Sequence, residues 1–203
     1  MNTVLARLFQ VGRFSLLAIL LGVSLAGCGV NNIPTQEEAA KAKWSQVLNQ
    51  YQRRADLIPN LVETVKGYAK QEAQVLEAVV NARARATSVQ LPADVLNNPE
   101  AFKKFQDAQS QLSGALGRLL VVTEAYPELK SNQNFLALQS QLEGTENRIS
   151  VARRDYIEAV QAYNTELKTF PGVIWASTLY KGNKPMETFT IAEETKRPPQ
   201  VKF

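Results

Sequence analysis

Apolar residues in three long stretches of the chain recur at strictly alternating steps of four and three, a spacing that suits helices packing along a shared seam. In the first stretch the seam runs Trp44, Leu48, Tyr51, Ala55, Ile58, Val62, Val65, Ala69, Glu72, Leu76, Val79, Arg83 and Ala86. Only Glu72 and Arg83 are polar. A period of about 3.5 held this long follows a partner helix in a left-handed supercoil, because the helix must underwind slightly to keep its stripe in contact. A second seam is Ala101, Phe105, Ala108, Leu112, Ala115, Leu119, Val122 and Tyr126. The third is Phe135, Leu138, Leu142, Thr145, Ile149, Ala152, Tyr156, Ala159 and Tyr163, continuing to Leu167 and Phe170.

Punctuation between the seams sets the boundaries. Thr35 with Glu38 reads as a capping box, so the first helix is predicted from Thr35 to about Gln90, ahead of Pro92. Asn98 is an N-cap with Pro99 at the first helical position, and Pro127 stops the second helix. Ser131 caps the third, which Pro171 ends. The short connections at 91–98 and 126–131 make neighbouring helices antiparallel. The expected fold is all-α: an antiparallel up-and-down bundle of three long helices plus a fourth short or stalk helix, occupying 35–181. A largely irregular extension, 182–203, follows, disordered from Thr195 onward. Pro59 falls inside the first pattern and lacks the N–H a helix needs, which predicts a kink.

At about 1.5 Å per residue the first helix is roughly 80 Å long and the second roughly 40 Å. Trp44, Leu48 and Tyr51 then overhang, with Pro171–Tyr180, the far end of the third helix or a second copy of the chain as candidate covers. With three helices the first and third run parallel, which favours self-association or an envelope partner at a membrane-near stalk. On that reading, charging Trp44 and Leu48 leaves the body beyond Pro59 folded.

The N-terminus has the parts of a secretory signal: basic Arg7 and Arg13, the apolar run Phe14 to Val23, and small residues at Leu25-Ala26-Gly27-Cys28. That last tetrad resembles a bacterial lipobox. Residues 1–27 are expected to be removed as a signal peptide, Cys28 to be acylated with palmitate-type chains, and 28–34 to form a tether linker. Lipid chains contribute roughly 0.8 kcal/mol per buried methylene, so two or more anchor a protein stably. The alternative is an uncleaved anchor, although a span wants about 20 apolar residues. Either way the body lies in the bacterial cell envelope outside the cytoplasm, on the periplasmic side if there are two membranes. Gly29 is not the aspartate that usually retains lipoproteins in the inner membrane, so outer-membrane sorting is the conditional expectation.

Composition narrows the chemistry. The chain has no histidine, and Cys28 is its single cysteine. That excludes Ser-His and Cys-His machinery and the usual zinc sites. No Asp-rich calcium loop or glycine-rich phosphate loop occurs, so no metal, cofactor or catalytic residue is expected. Without Arg7 and Arg13 the balance is 21 basic to 19 acidic side chains, and the basic pairs are interleaved with acids as on a solvated helix face. Nucleic acid is not an expected partner.

Polar residues in or beside the seams are the remaining candidates. Glu72 and Arg83 need partners, because an unpaired buried charge costs several kcal/mol. Glu143, Glu146 and Arg148 on the third helix, along with Asn60 and Tyr163, are the candidates, giving either an internal network that fixes register or a cleft. Arg53, Arg54, Asp56 and Asn60 beside Pro59 form either a docking edge or a capped break in the helix. A docking edge predicts that Arg54→Glu leaves thermal stability unchanged while abolishing partner binding. Small seam residues such as Ala108 and Ala115 allow close packing or leave room for a small apolar ligand.

The stretch from Tyr51-Gln52-Arg53-Arg54-Ala55-Asp56-Leu57-Ile58-Pro59-Asn60-Leu61-Val62 to Lys66-Gly67-Tyr68 resembles the signature of the LemA family. Later blocks agree in order: Tyr126-Pro127-Glu128-Leu129-Lys130, Asn134-Phe135, Glu143-Gly144-Thr145-Glu146-Asn147-Arg148-Ile149, Arg153-Arg154, Tyr163-Asn164 and Phe170-Pro171. The resemblance covers about 44 to 171 and implies an up-and-down helical bundle, membrane attachment and no established enzymatic activity. Some relatives are linked to membrane or envelope processes, which implies a scaffold or adaptor role toward other membrane proteins. Two departures stand out: Tyr156-Ile157 replaces a repeated Tyr-Asn pair, and relatives generally carry a plain N-terminal transmembrane anchor. The alternative function is a bundle that binds a small apolar or lipid-like ligand.

Overall fold

The computed structural model describes residues 29–190. The expected signal peptide, Cys28 and the expected disordered tail from Thr195 lie outside them. Six helices follow one another: α1 (Asn32–Tyr68), α2 (Ala73–Ser88), α3 (Pro99–Thr123), the short α4 (Pro127–Lys130), α5 (Gln133–Glu166) and α6 (Gly172–Thr178). Short 3-10 turns occupy Lys70–Glu72 and Val95–Asn97. Among the described residues there is no strand, and the fold is the all-α up-and-down bundle that the seams imply.

The first seam is real but belongs to two helices. Ala69, at φ −125° and ψ 55°, leaves the helical region, and the 3-10 turn reverses the chain. Val65, Ala69, Leu76, Val79 and Ala86 are nevertheless all buried. The turn keeps the seven-residue phase, so both arms of the hairpin present their stripe to one core. The expected 80 Å helix is thus replaced by α1, about 55 Å, and α2, about 24 Å.

That reversal changes chain direction downstream. Asn32 bonds Glu166, Lys43 bonds Asp155, Arg54 bonds Glu146 and Tyr68 bonds Asn132, so each step along α1 meets an equal step back along α5. The two long helices are antiparallel, not parallel as expected from three helices, and α5 is the principal neighbour of α1. The shorter pair α2 and α3 packs beside them.

Several boundaries shift. α1 begins at Asn32, upstream of the Thr35 capping box and inside the expected linker, because Ile33 is fully buried and draws the first turn into the core. Asn98 does cap α3, accepting from the Ala101 N–H at 3.1 Å. Asn132 rather than Ser131 caps α5, accepting from Phe135 N–H. The second seam keeps Phe105, Leu112 and Leu119, but its other contacts are Phe102, Gln109, Leu116 and Thr123, one position beyond the expected residues. Pro59 produces no break: its ring faces solvent within an uninterrupted α1.

The core divides into two apolar clusters. One gathers Trp44, Val47 and Tyr51 with Phe102, Phe105, Ile149, Tyr156 and Phe189 at the end where α1 begins. The other gathers Ile58, Leu61 and Val65 with Val79, Leu112, Leu119, Phe135 and Leu142 at the opposite end.

Candidate functional site

Between the two clusters lies a polar layer. Its centre is Arg54, 1% exposed, placed on α1 one turn after Tyr51 and one turn before Ile58. Nη1 donates to Ser113 Oγ at 2.7 Å and to Glu146 Oε1 at 2.8 Å. Nη2 donates to the side-chain and backbone oxygens of Gln109, at 2.7 and 3.3 Å. The guanidinium also stacks over Tyr51, 5.0 Å from the ring centre. Gln109 in turn donates to the Ala86 carbonyl, which ties α2 into the layer.

Arg54 is therefore not a docking edge. Its charge is held inside the bundle by α3 and α5, and its terminal nitrogens are satisfied by the protein itself. Nε is buried without a hydrogen-bond partner. Glu146, with its side chain 45% exposed, brings the counter-charge in from the surface. A rigid, planar donor fork that must meet acceptors on two other helices fixes the register among them. Burial pushes the Tyr51 phenol above its ordinary range, while Arg153 and Arg54 pull it the other way.

The expected internal network is not assembled from its five members. Arg83 Nε donates to the Ala55 carbonyl at 2.8 Å. Glu72 sits in the 3-10 turn and accepts from the Tyr126 hydroxyl at 2.7 Å. Glu143 is exposed and accepts from Gln139, and Arg148 is exposed and donates to Thr145. Of the five, only Glu146 pairs with a buried charge, and its partner is Arg54. Of the residues beside Pro59, Arg53 is exposed, Asp56 accepts from Gln52, and Asn60 lines a surface groove between α1 and α5 with Gln141.

Trp44 and Leu48 are not an overhanging stalk. Trp44 is 6% exposed, with ring centres 5.5, 5.2, 5.3 and 6.0 Å from Phe102, Phe105, Tyr156 and Phe189. Leu48 packs against the same cluster. The cover on one side is a C-terminal strap, irregular in backbone yet firmly attached. Asn164 exchanges two hydrogen bonds with the Met186 backbone, Tyr156 donates to Glu187 O, and Glu187 N–H donates to Leu96 O. Arg153 lies 4.4 Å over the Phe189 ring. Burial pushes the Tyr156 phenol far above its ordinary value. The seams reveal none of this, because the strap has no helical period. Met186 and Phe189 as isolated apolar residues after Pro185 were the available signal.

Two openings lie beside the polar layer. One, about 270 Å³, is lined by Leu48, Tyr51, Val89, Leu91, Phe105 and Gln109 among others, where α1, α2 and α3 diverge. The other, about 370 Å³, runs between α1 and α5 past Gln46, Gln50, Arg148 and Asp155. Among the described residues no group of acidic side chains is placed to hold a metal ion, and no helix is long and apolar enough to cross a membrane.

Residues 43–203 match the family model described as LemA family. The chain is 25% identical to the magnetosome proteins MamQ 1 and MamQ 2 of Paramagnetospirillum magneticum, over 77% of this chain and 64% of each relative. It is 23% identical to the magnetosome protein MamQ of Magnetospirillum gryphiswaldense over the same shares. The chain thus spans just under two thirds of the length of these relatives.

Proposed function

Because the chain belongs to the LemA family, we propose that it is a membrane-anchored protein of the bacterial cell envelope, tethered through acylated Cys28, that serves as a scaffold or adaptor for other membrane proteins. One observation carries this reading. Gly29, the residue after Cys28, lies at one end of a bundle whose longest helix is about 55 Å, with Asn32 bonded to the last turn of α5. An anchor at Cys28 holds such a rod by its end and leaves its flanks free. The arrangement of the polar layer supports association over catalysis, since the terminal nitrogens of Arg54 are spent on Gln109, Ser113 and Glu146. The relatives are named as magnetosome proteins and not by a reaction, which suits a protein that works by association.

Two measurements test this. Labelling with a lipid precursor is expected in the intact protein and absent in Cys28→Ser; label surviving the substitution removes the tether. Crosslinking in intact cells followed by affinity purification is expected to recover membrane proteins in fixed ratio, and recovery of this chain alone counts against an adaptor. A second reading, a bundle that takes a small apolar ligand, has the 270 Å³ opening beside Leu48, Val89 and Phe105 in its favour. That volume lies just under the usual range for ligand sites. Native mass spectrometry of protein extracted from membranes decides it, because a stoichiometric adduct supports the second reading and a bare mass removes it.

A further inference from the structure

Exposed large apolar side chains are distributed unevenly over the bundle. Tyr68, Val80, Val121, Leu136 and Val151 stand singly, far apart along α1, α2, α3 and α5, as surface residues ordinarily do. Phe170, Val173, Ile174 and Leu179 instead fall within one short stretch around α6, at 81%, 42%, 45% and 64% exposure. The stretch is held firmly in place. A Cβ on Gly172 would come within 2.2 Å of the Glu166 carbonyl oxygen, so only glycine lets α6 fold this tightly against the end of α5.

Two further observations identify what covers the patch. Gly29 lies directly against it, since a Cβ there would meet the Pro171 ring at 3.3 Å. Gly29, which follows Cys28 in the sequence, therefore stands at the same end of the bundle as the apolar residues. Exposed cations stand in and beside the same stretch, namely Lys168, Lys181 and Lys184, while Glu37 is paired with Lys41 and the half-buried Glu166 accepts from Asn32. Apolar side chains flanked by lysines suit the boundary between acyl chains and anionic headgroups.

We propose that this end of the bundle is a membrane-contact surface: Phe170, Val173, Ile174 and Leu179 enter the interfacial layer of a lipid bilayer while Lys168, Lys181 and Lys184 meet anionic headgroups. The proposal rests on the tethered reading and adds an orientation to it. At seven residues α6 is far too short to span, so it lies in the interface and the bundle axis points away from the membrane.

The two tryptophans of the chain, Trp44 and Trp175, supply the test. Trp175 sits on α6, partly buried against the core, while Trp44 is enclosed about 18 Å along α1 from its first residue. Full-length protein isolated from its own membranes is placed in phosphatidylethanolamine and phosphatidylglycerol vesicles with or without brominated acyl chains. The protein is expected to sediment with the vesicles and to lose Trp175 emission in brominated lipid. Trp175→Phe removes that loss, because Trp44 stays unquenched. Ile174→Asp with Leu179→Asp, at exposed positions, is expected to retain helical circular dichroism and vesicle binding through the anchor but to lose the quenching. Sedimentation without quenching, or equal quenching in the double variant, overturns the contact surface and leaves the tether standing. Protein that remains in the supernatant overturns both.

Discussion

Arg83 donates its Nε–H to the carbonyl oxygen of Ala55, the acceptor that Pro59 leaves without its helical donor. In an α-helix the N–H of residue 59 would serve that oxygen, and proline has none. Ala55 is 3% exposed, so water is a poor substitute. A side chain from the neighbouring helix supplies the missing donor, which is why α1 passes through Pro59 unbroken. Arg83 is thus the reply to Pro59 and not the partner of a carboxylate.

Leaving that carbonyl unserved costs about 1–3 kcal/mol. Arg83→Ala is therefore expected to lower stability by about that amount in the native background. In a Pro59→Ala background, where residue 59 regains its N–H, the same substitution is expected to cost under about 1 kcal/mol. Denaturant unfolding of the four proteins in a double-mutant cycle measures the coupling. An equal cost in both backgrounds would show that Arg83 acts elsewhere.

Arg54 leads to the second prediction. Arg54→Glu places a carboxylate beside Glu146 in the closed polar layer and is expected to unfold the bundle or destabilise it by more than about 3 kcal/mol, the scale for breaking a buried pair. Arg54→Met keeps much of the volume and is expected to be milder, because Glu146 is already 45% exposed and can turn to water. Thermal melts of both variants decide this. An unchanged melting temperature in Arg54→Glu would return Arg54 to the surface.

The seams made the helices and most of the core legible, and the reason is physical: burial follows helical period whatever the topology. Trp44, Tyr51, Ile58, Val65, Leu76, Val79, Phe105, Leu112, Leu142, Ile149 and Tyr156 are all buried as the spacing indicated. Chain reversal was not legible, because the turn at Ala69 to Glu72 preserves the seven-residue phase and Pro59 offered a more obvious breaking point. The expectations of parallel first and third helices and of an uncovered Trp44 failed with it. Arg54 could not be placed either, since its burial depends on Gln109, Ser113 and Glu146 arriving from two other helices.

A third prediction concerns the strap. Phe189 is 7% exposed and closes the aromatic cluster over Trp44, Phe102 and Tyr156. Phe189→Ala is expected to destabilise by about 3–5 kcal/mol, as for other buried aromatic truncations. Asn164→Ala removes both bonds to Met186 and is expected to free the strap at smaller cost. Trp44→Asp with Leu48→Asp is expected to cause broad loss of helical circular dichroism, since both residues belong to the core. Retention of full helicity in that double variant would revive the overhanging stalk.

The fourth prediction is a dependence on alkaline pH. Burial raises the phenol pKa values of Tyr156, Tyr51 and Tyr163, so the folded protein keeps protons that the unfolded chain begins to release near pH 10. With more protons bound in the folded state, stability falls as pH rises. Their contribution is fully present below about pH 10 and is lost progressively above it, toward the raised values. Tyr156→Phe isolates the contribution of this one phenol. At neutral pH it is expected to lower the melting temperature slightly, through loss of the bond to Glu187 O. Above about pH 10 its melting temperature is expected to fall less steeply than that of the native protein. Parallel alkaline limbs for the two proteins would mean that Tyr156 ionises without leaving the core, and the assigned burial effect would be lost.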